Sequence, residues 1–246
     1  MPGKYFRGAF IEFTSSFLVP IPNVIVFQYN PETLSHTWSP AAAAAPSGAN
    51  QGPGQGNPLA VSGDPGEEFS FTLMMDAGDI IADGIAPAAA LAEVSGLYPT
   101  LAALELLLFP STSTGGGGVA GALSTGAGAA AGALGGGASG GVQRSVPISV
   151  VPTVLFVWGP ERILPVRVTN LRITEKLYDP TLLVPTHAEA EIGLRVLTQL
   201  EIDALDDGLV KQLVQTAYSY MGTLRQVLAL ANLVNSANSI VGMLPF

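Results

Sequence analysis

Polar and apolar residues alternate with a period of two through "EEFSFTLMMD", where Phe69, Phe71, Leu73 and Met75 oppose Glu68, Ser70, Thr72 and Met74. That period predicts a strand with one face buried. "HAEAEIGLRVLTQL" repeats it, with Ala188, Ala190, Ile192, Leu194 and Val196 on one face and His187, Glu189, Glu191 and Arg195 on the other. "TVLFVWG" and "LPVRVTNLRITEKLY" add two strands, and residues 6–14 and 24–29 supply a pair at the start. Within "VIVFQYNPETLSHTW" the β-rich run breaks at Asn30-Pro31 and resumes at Leu34. Pro31 fixes φ and biases Asn30 away from helix, so one strand ends there and the chain reverses.

The period changes after Phe71. "DIIADGIAPAAALAEVSGLYPTLAALELLLF" reads as one or two helices around Pro99. A further helix is predicted from near Asp206 and Asp207, acidic residues suited to a helix N-terminus. Its apolar positions Val210, Leu213, Val214, Ala217, Met221, Leu224 and Leu228 keep helical spacing. Two stretches interrupt the periodic segments: "SPAAAAAPSGANQGPGQGNP", and the Gly-, Ala- and Ser-rich run from Ser111 to Gly141. Both read as flexible insertions, at 39–65 and 111–145. The predicted class is therefore mainly β within α+β: an antiparallel β-sandwich or split barrel over 1–205, with a helical insertion and a helical C-terminal tail over 206–246.

Composition narrows what such a fold is for. Only 12% of the 246 residues are charged, about half the usual share, and the mean hydropathy is +0.42. A formal charge of -9 argues against a nucleic-acid binder, which needs a basic stripe. Cys is absent, which excludes disulfides, thiolate nucleophiles and Cys-based metal sites. The N-terminal "MPGKYFRGAFIEF" is interrupted by Arg7 and Glu12 and reads as a strand, not a signal peptide. The most apolar stretches are broken by Glu93, Pro99 and Glu105, or carry Asn232, Asn235 and Asn238, so none is a membrane span. So apolar a chain without a span is expected to bury surface between subunits.

Catalytic chemistry finds little footing. His36 and His187 are the only imidazoles, neither has a second His or Cys at ligand spacing, and both read as surface residues. No Ser lies in a Gly-x-Ser-x-Gly elbow, and "GGGGVAGALSTG" lacks the Lys of a phosphate-binding loop. Glu67 and Glu68, and the group Asp76, Asp79 and Asp83, read as solvated positions at a strand end and a first helical turn. No catalytic, cofactor-binding or metal-ligating residue is expected, and no enzyme.

The order of motifs points elsewhere. "FQYNPETL" resembles the Phe-x-Phe/Tyr-Asn-Pro-x-x-Leu phrase that opens the tube-initiator, or tube-adaptor, proteins of phage-tail-like contractile injection systems. "PTVLFVWGPERILPVRVTNLRITEKLYDPTLLVPTHAEAEIGLRVL" is similar to the family's Phe-x-Trp-Gly hairpin, Val-rich strand, aromatic and Asp-Pro turn, and final amphipathic strand. Together these cover most of residues 5–200. The chain departs from the family where "LVPTHAEA" replaces a Gly-x-Pro-x-Arg-Ala phrase, keeping Pro185 and Ala188, and where a helical tail stands in place of a peptidoglycan-binding repeat.

The resemblance implies a fold similar to the phage tail tube and a structural role at the baseplate hub. There a ring, expected to be a hexamer, would join the spike to the inner tube and start tube assembly. The implied partners are further copies of the chain, the spike or hub protein, the inner tube protein and baseplate or sheath proteins. The implied location is the cytoplasm on synthesis, then the assembled particle. The alternative is a membrane-surface or envelope-associated protein anchored by its amphipathic C-terminal helix, against which stands the scarcity of Lys and Arg there, Lys211 and Arg225 alone.

Overall fold

The computed structural model describes residues 6–14, 21–43, 61–109, 152–205 and 208–241. The protein is a mixed α/β molecule, with a seven-stranded antiparallel sheet and five helices among the described residues. Strands β1 (Ala9–Thr14) and β2 (Ile21–Val26) form the first pair, followed by β3 (Leu34–Ser39). The short β4 (Ala42–Ala43) and β5 (Val61–Ser62) pair with each other. They flank the centre of the first predicted insertion, whose residues 44–60 lie outside the described residues. All of the second, 111–145, does too.

Strand β6 (Gly66–Asp76) leads into three short helices, α1 (Ala77–Asp83), α2 (Ala88–Ser95) and α3 (Tyr98–Leu106). The one or two helices expected around Pro99 are thus three. Gly84 closes α1 with a left-handed φ of 62°, and Gly96, with φ of 57°, ends α2. Pro99 breaks nothing, because it sits in the first turn of α3 where no amide donor is needed. Then come β7 (Val154–Val157), the 16-residue β8 (Ile163–Tyr178), β9 (Pro185–Val196), the short α4 (Gln199–Asp203) and α5 (Leu209–Val241).

The sheet order is β2-β1-β7-β8-β9-β6-β3. The alternation read from the sequence is met on both long strands. Phe69, Phe71, Leu73 and Met75 are buried, as are Ala188, Ala190, Ile192, Leu194 and Val196. β6 and β9 pair in register, Phe71 opposite Ile192 and Leu73 opposite Ala190, so the two apolar rows fall on one face.

That face cannot be flat. β1 and β6 stand four strand positions apart, about 19 Å at the usual spacing. Yet the rings of Phe10 and Phe71 lie 6.3 Å apart, and Phe27 and Phe71 5.8 Å. The sheet therefore curls over itself around Phe10, Phe27, Phe69, Phe71 and Phe156. Part of the bend comes from a bulge in β8 between Val168 and Asn170, which sharpens local twist. Gly193 admits it from the opposing strand, since a Cβ there would stand 3.1 Å from Thr169 Oγ1. Before the bulge β8 is mostly buried; after it the strand runs out half-exposed.

β7 is covered on both sides, which accounts for its unbroken apolar run. Phe156 enters the main core, while Leu155 joins a second cluster with Leu197, Ile202, Val214 and Ala217. α5 thus packs on the sheet through Val214, Ala217 and Met221. The two edges remain open. β3 exposes five of its six residues, and on β2 Val24 and Val26 are half exposed.

Candidate functional site

The segment between β2 and β3 joins opposite edges of the sheet, and its side chains tie those edges together across the seam of the curl. Gln28 makes a reciprocal pair with the end of β6: its Nε2 donates to the Asp76 carbonyl at 2.8 Å, and its Oε1 accepts from the Asp76 amide at 2.9 Å. Asn30 does the same for the chain ahead of β1. Its Oδ1 accepts from the Gly8 amide at 2.9 Å, and its Nδ2 donates to the Phe6 carbonyl at 2.8 Å. Tyr29 donates to Asp79 in the first turn of α1.

Phe27 fills the space below, packed against Phe10 at 5.0 Å between ring centroids and against Phe71, Phe156 and Trp158. Gly8 must be glycine here, since a Cβ would stand 2.5 Å from the Phe27 ring. β2 ends at Val26, ahead of the break expected at Asn30-Pro31, and the closing work falls to Gln28 and Asn30, which periodicity does not single out. Gln28→Ala strips two hydrogen bonds and leaves the Asp76 amide and carbonyl to water. A loss of about 2 kcal/mol is expected, read as a lowered urea midpoint with the slope unchanged.

The acidic group near α1 is distributed, not convergent. Asp76 caps α1, its Oδ1 accepting from the Gly78 amide at 2.7 Å, and its Oδ2 lies 3.5 Å from His187 Nδ1. Asp79 accepts from Tyr29, and Asp83 lines a mainly apolar cavity between β2 and the helices.

Across the molecule, Glu67 overturns its reading as a solvated strand-end acid: it is 4% exposed. Burying a carboxylate demands partners, and it has two. His36 Nε2 on β3 lies 2.9 Å from Oε1, and Arg225 Nη2 on α5 lies 2.5 Å from Oε2. His36 is exposed, as read from the sequence, but its ring also stacks on Phe69 at 4.3 Å. The Arg225 guanidinium lies 4.9 Å above Trp38, itself half exposed. These side chains, with Trp158, Glu161, Arg162 and Leu228, line an open cleft of about 540 Å³. It bridges β3, β6 and α5, and clamps the C-terminal helix to an edge of the sheet.

A second clamp holds α4. Arg195 donates to both oxygens of Glu201, at 3.1 and 2.5 Å, and the Arg195 hydrogen bond pulls the Glu201 carboxyl down to about 2. Thr198 and Glu201 form a reciprocal capping box, whose Thr-x-x-Glu spacing was readable in the sequence. Nearby, Tyr218 of α5 donates to Asp64 at 2.7 Å; burial, then that bond, push its phenol up to about 12.

Chemically these groups hold elements together. Neither cluster sets a nucleophile beside a base, and among the described residues no three His, Cys, Asp or Glu converge to hold a metal. No described helix is long and apolar enough to cross a membrane. In comparison with known proteins, no family model and no curated protein matches the chain.

Proposed function

We propose that this chain is a structural hub protein of a phage-tail-like contractile injection system, a ring subunit that joins spike to inner tube and initiates tube assembly, without a catalytic step. One observation carries the reading: three of the motif residues, Phe27, Tyr29 and Asn30, are among those that strap the seam of the curled sheet, with Gln28 between them. A sheet curled and strapped in this way is a block suited to repetition, as a fold similar to the tail tube would be. The open edges β2 and β3 give it surfaces for neighbours. The low charge, 12% of residues, fits surfaces that end up covered. Contacts with the spike or hub protein, the inner tube protein and baseplate or sheath proteins follow from this reading, as does cytoplasmic synthesis before incorporation into the particle.

Negative-stain microscopy and sedimentation of the purified chain test it. Closed rings with a central opening, of six copies, are expected. Added in substoichiometric amount to the tube protein of the same producer, the rings should shorten the lag before tubes appear. A monodisperse monomer at high concentration that leaves tube growth unchanged would overturn the proposal.

A further inference from the structure

α5 changes sides along its length. At about 100° per residue, Val210, Val214, Ala217, Met221 and Leu224 fall within an arc of about 80°, and this arc faces the sheet and the second apolar cluster. On the far side the same half is polar, with Gln212, Gln215, Thr216, Ser219 and Thr223.

Beyond Arg225 the pattern inverts. Val227, Leu230 and Leu233 lie roughly 100°, 160° and 140° round the axis from the middle of the sheet-facing arc, and they are 56%, 63% and 63% exposed. Every residue from Arg225 to Leu233 is exposed. Past the Arg225 contact and Leu228, which lines the cleft, the stripe of Val227, Leu230 and Leu233 turns away from the sheet. No part of the sheet packed against the first half can cover that stripe.

The composition of the overhang selects its occupant. No charged residue follows Arg225, so the segment has no cationic face for anionic headgroups and no ionic code for a charged partner. What it has is a heptad. In the sequence Val227, Val234 and Val241 recur at one heptad position, Leu230 and Ala237 at the one three residues on, and Leu233 and Ile240 at the one before the first. A seam of this kind is complemented by another copy of itself, and widening beyond two core positions suits more than two helices.

We propose that the last turns of α5, from Val227 onward, form a helical collar with the same segment of other copies of this chain. The idea rests on the ring reading for the number of copies and for the local concentration of helices. Some two heptads are marginal as a free peptide, but subunits held in a ring present their helices at high effective concentration.

The absence of Cys makes the test direct. In the full chain, Leu230→Cys is expected to give disulfide-linked copies under mild oxidation, whereas Leu228→Cys, 51% exposed but on the opposite side of the helix, should remain uncrosslinked. The double variant Leu230→Glu/Leu233→Glu should keep the wild-type melting curve and lose copies in sedimentation. Equal crosslinking of both Cys variants, or rings undiminished by the two glutamates, would overturn the collar and leave the ring reading standing. Crosslinking through Leu230→Cys without rings would support the collar and sink the ring. Flotation of the wild type, but not the double glutamate variant, with phosphatidylethanolamine/phosphatidylglycerol vesicles would assign the stripe to a membrane surface and overturn the collar.

Discussion

Ile192→Asp is expected to abolish the cooperative thermal transition. Ile192 is 1% exposed at the centre of β9, between Phe71 of β6 and Leu171 of β8 in the register. A carboxylate there has no partner on the apolar face, and either its charge or its forced protonation costs several kcal/mol. The whole stability of a domain is roughly 5–15 kcal/mol. The adjacent substitution Glu191→Lys reverses a charge on the other face, where Glu191 is 55% exposed and 4.0 Å from Arg172. Its effect should stay within about 1 kcal/mol. Circular-dichroism melts of the two variants give the answer. Were Ile192→Asp to melt like the wild type, the register of β9 against β6 would be wrong.

Arg225→Ala has the second largest expected effect, because it leaves buried Glu67 with His36 as its one remaining partner. With Glu67 4% and Arg225 42% exposed, the loss should fall near 2–3 kcal/mol, below the ~3–5 of a fully buried pair. Restoring balance by removing the charge as well should recover part of it, so Glu67→Gln/Arg225→Ala is expected to be more stable than Arg225→Ala alone. Urea titration of the single and double variants closes this cycle. If the double variant is no better than the single one, Glu67 does not depend on Arg225 as a partner. Arg225 then acts only by covering Trp38.

These two residues also show what could be read from the sequence. Ile192 was legible because a strand with one covered face repeats every two residues, and the burial of its neighbours depends on that local pattern alone. Glu67 was not legible. Its burial depends on His36 and Arg225, 31 and 158 residues away in the chain, and no window holds all three. The same limit hid the strap: Asn30-Pro31 marks the break, but the partners of Gln28 and Asn30 lie on β6 and ahead of β1. The three short helices were obscured for a local reason, since Ala- and Leu-rich segments keep helical periodicity across the turns that divide them. α4 was missed although its capping box was in view.

The order of strands has a consequence for how the chain is made. β1 pairs with β2 at once, but its other neighbour, β7, follows about 140 residues later, with Glu12 opposite Val154. At the ribosome's pace of roughly 5–20 residues per second, the first hairpin waits on the order of ten seconds for that partner. Throughout that interval Phe10 and Phe27, which end up sealed at the heart of the curl, have no core to enter, and one edge of β1 is unpaired. The growing chain is thus sticky at its beginning until its last third emerges. Strong overexpression, which crowds nascent chains, should yield aggregate from this N-terminal hairpin before it yields folded protein, and slower translation or a holding chaperone should raise the soluble fraction.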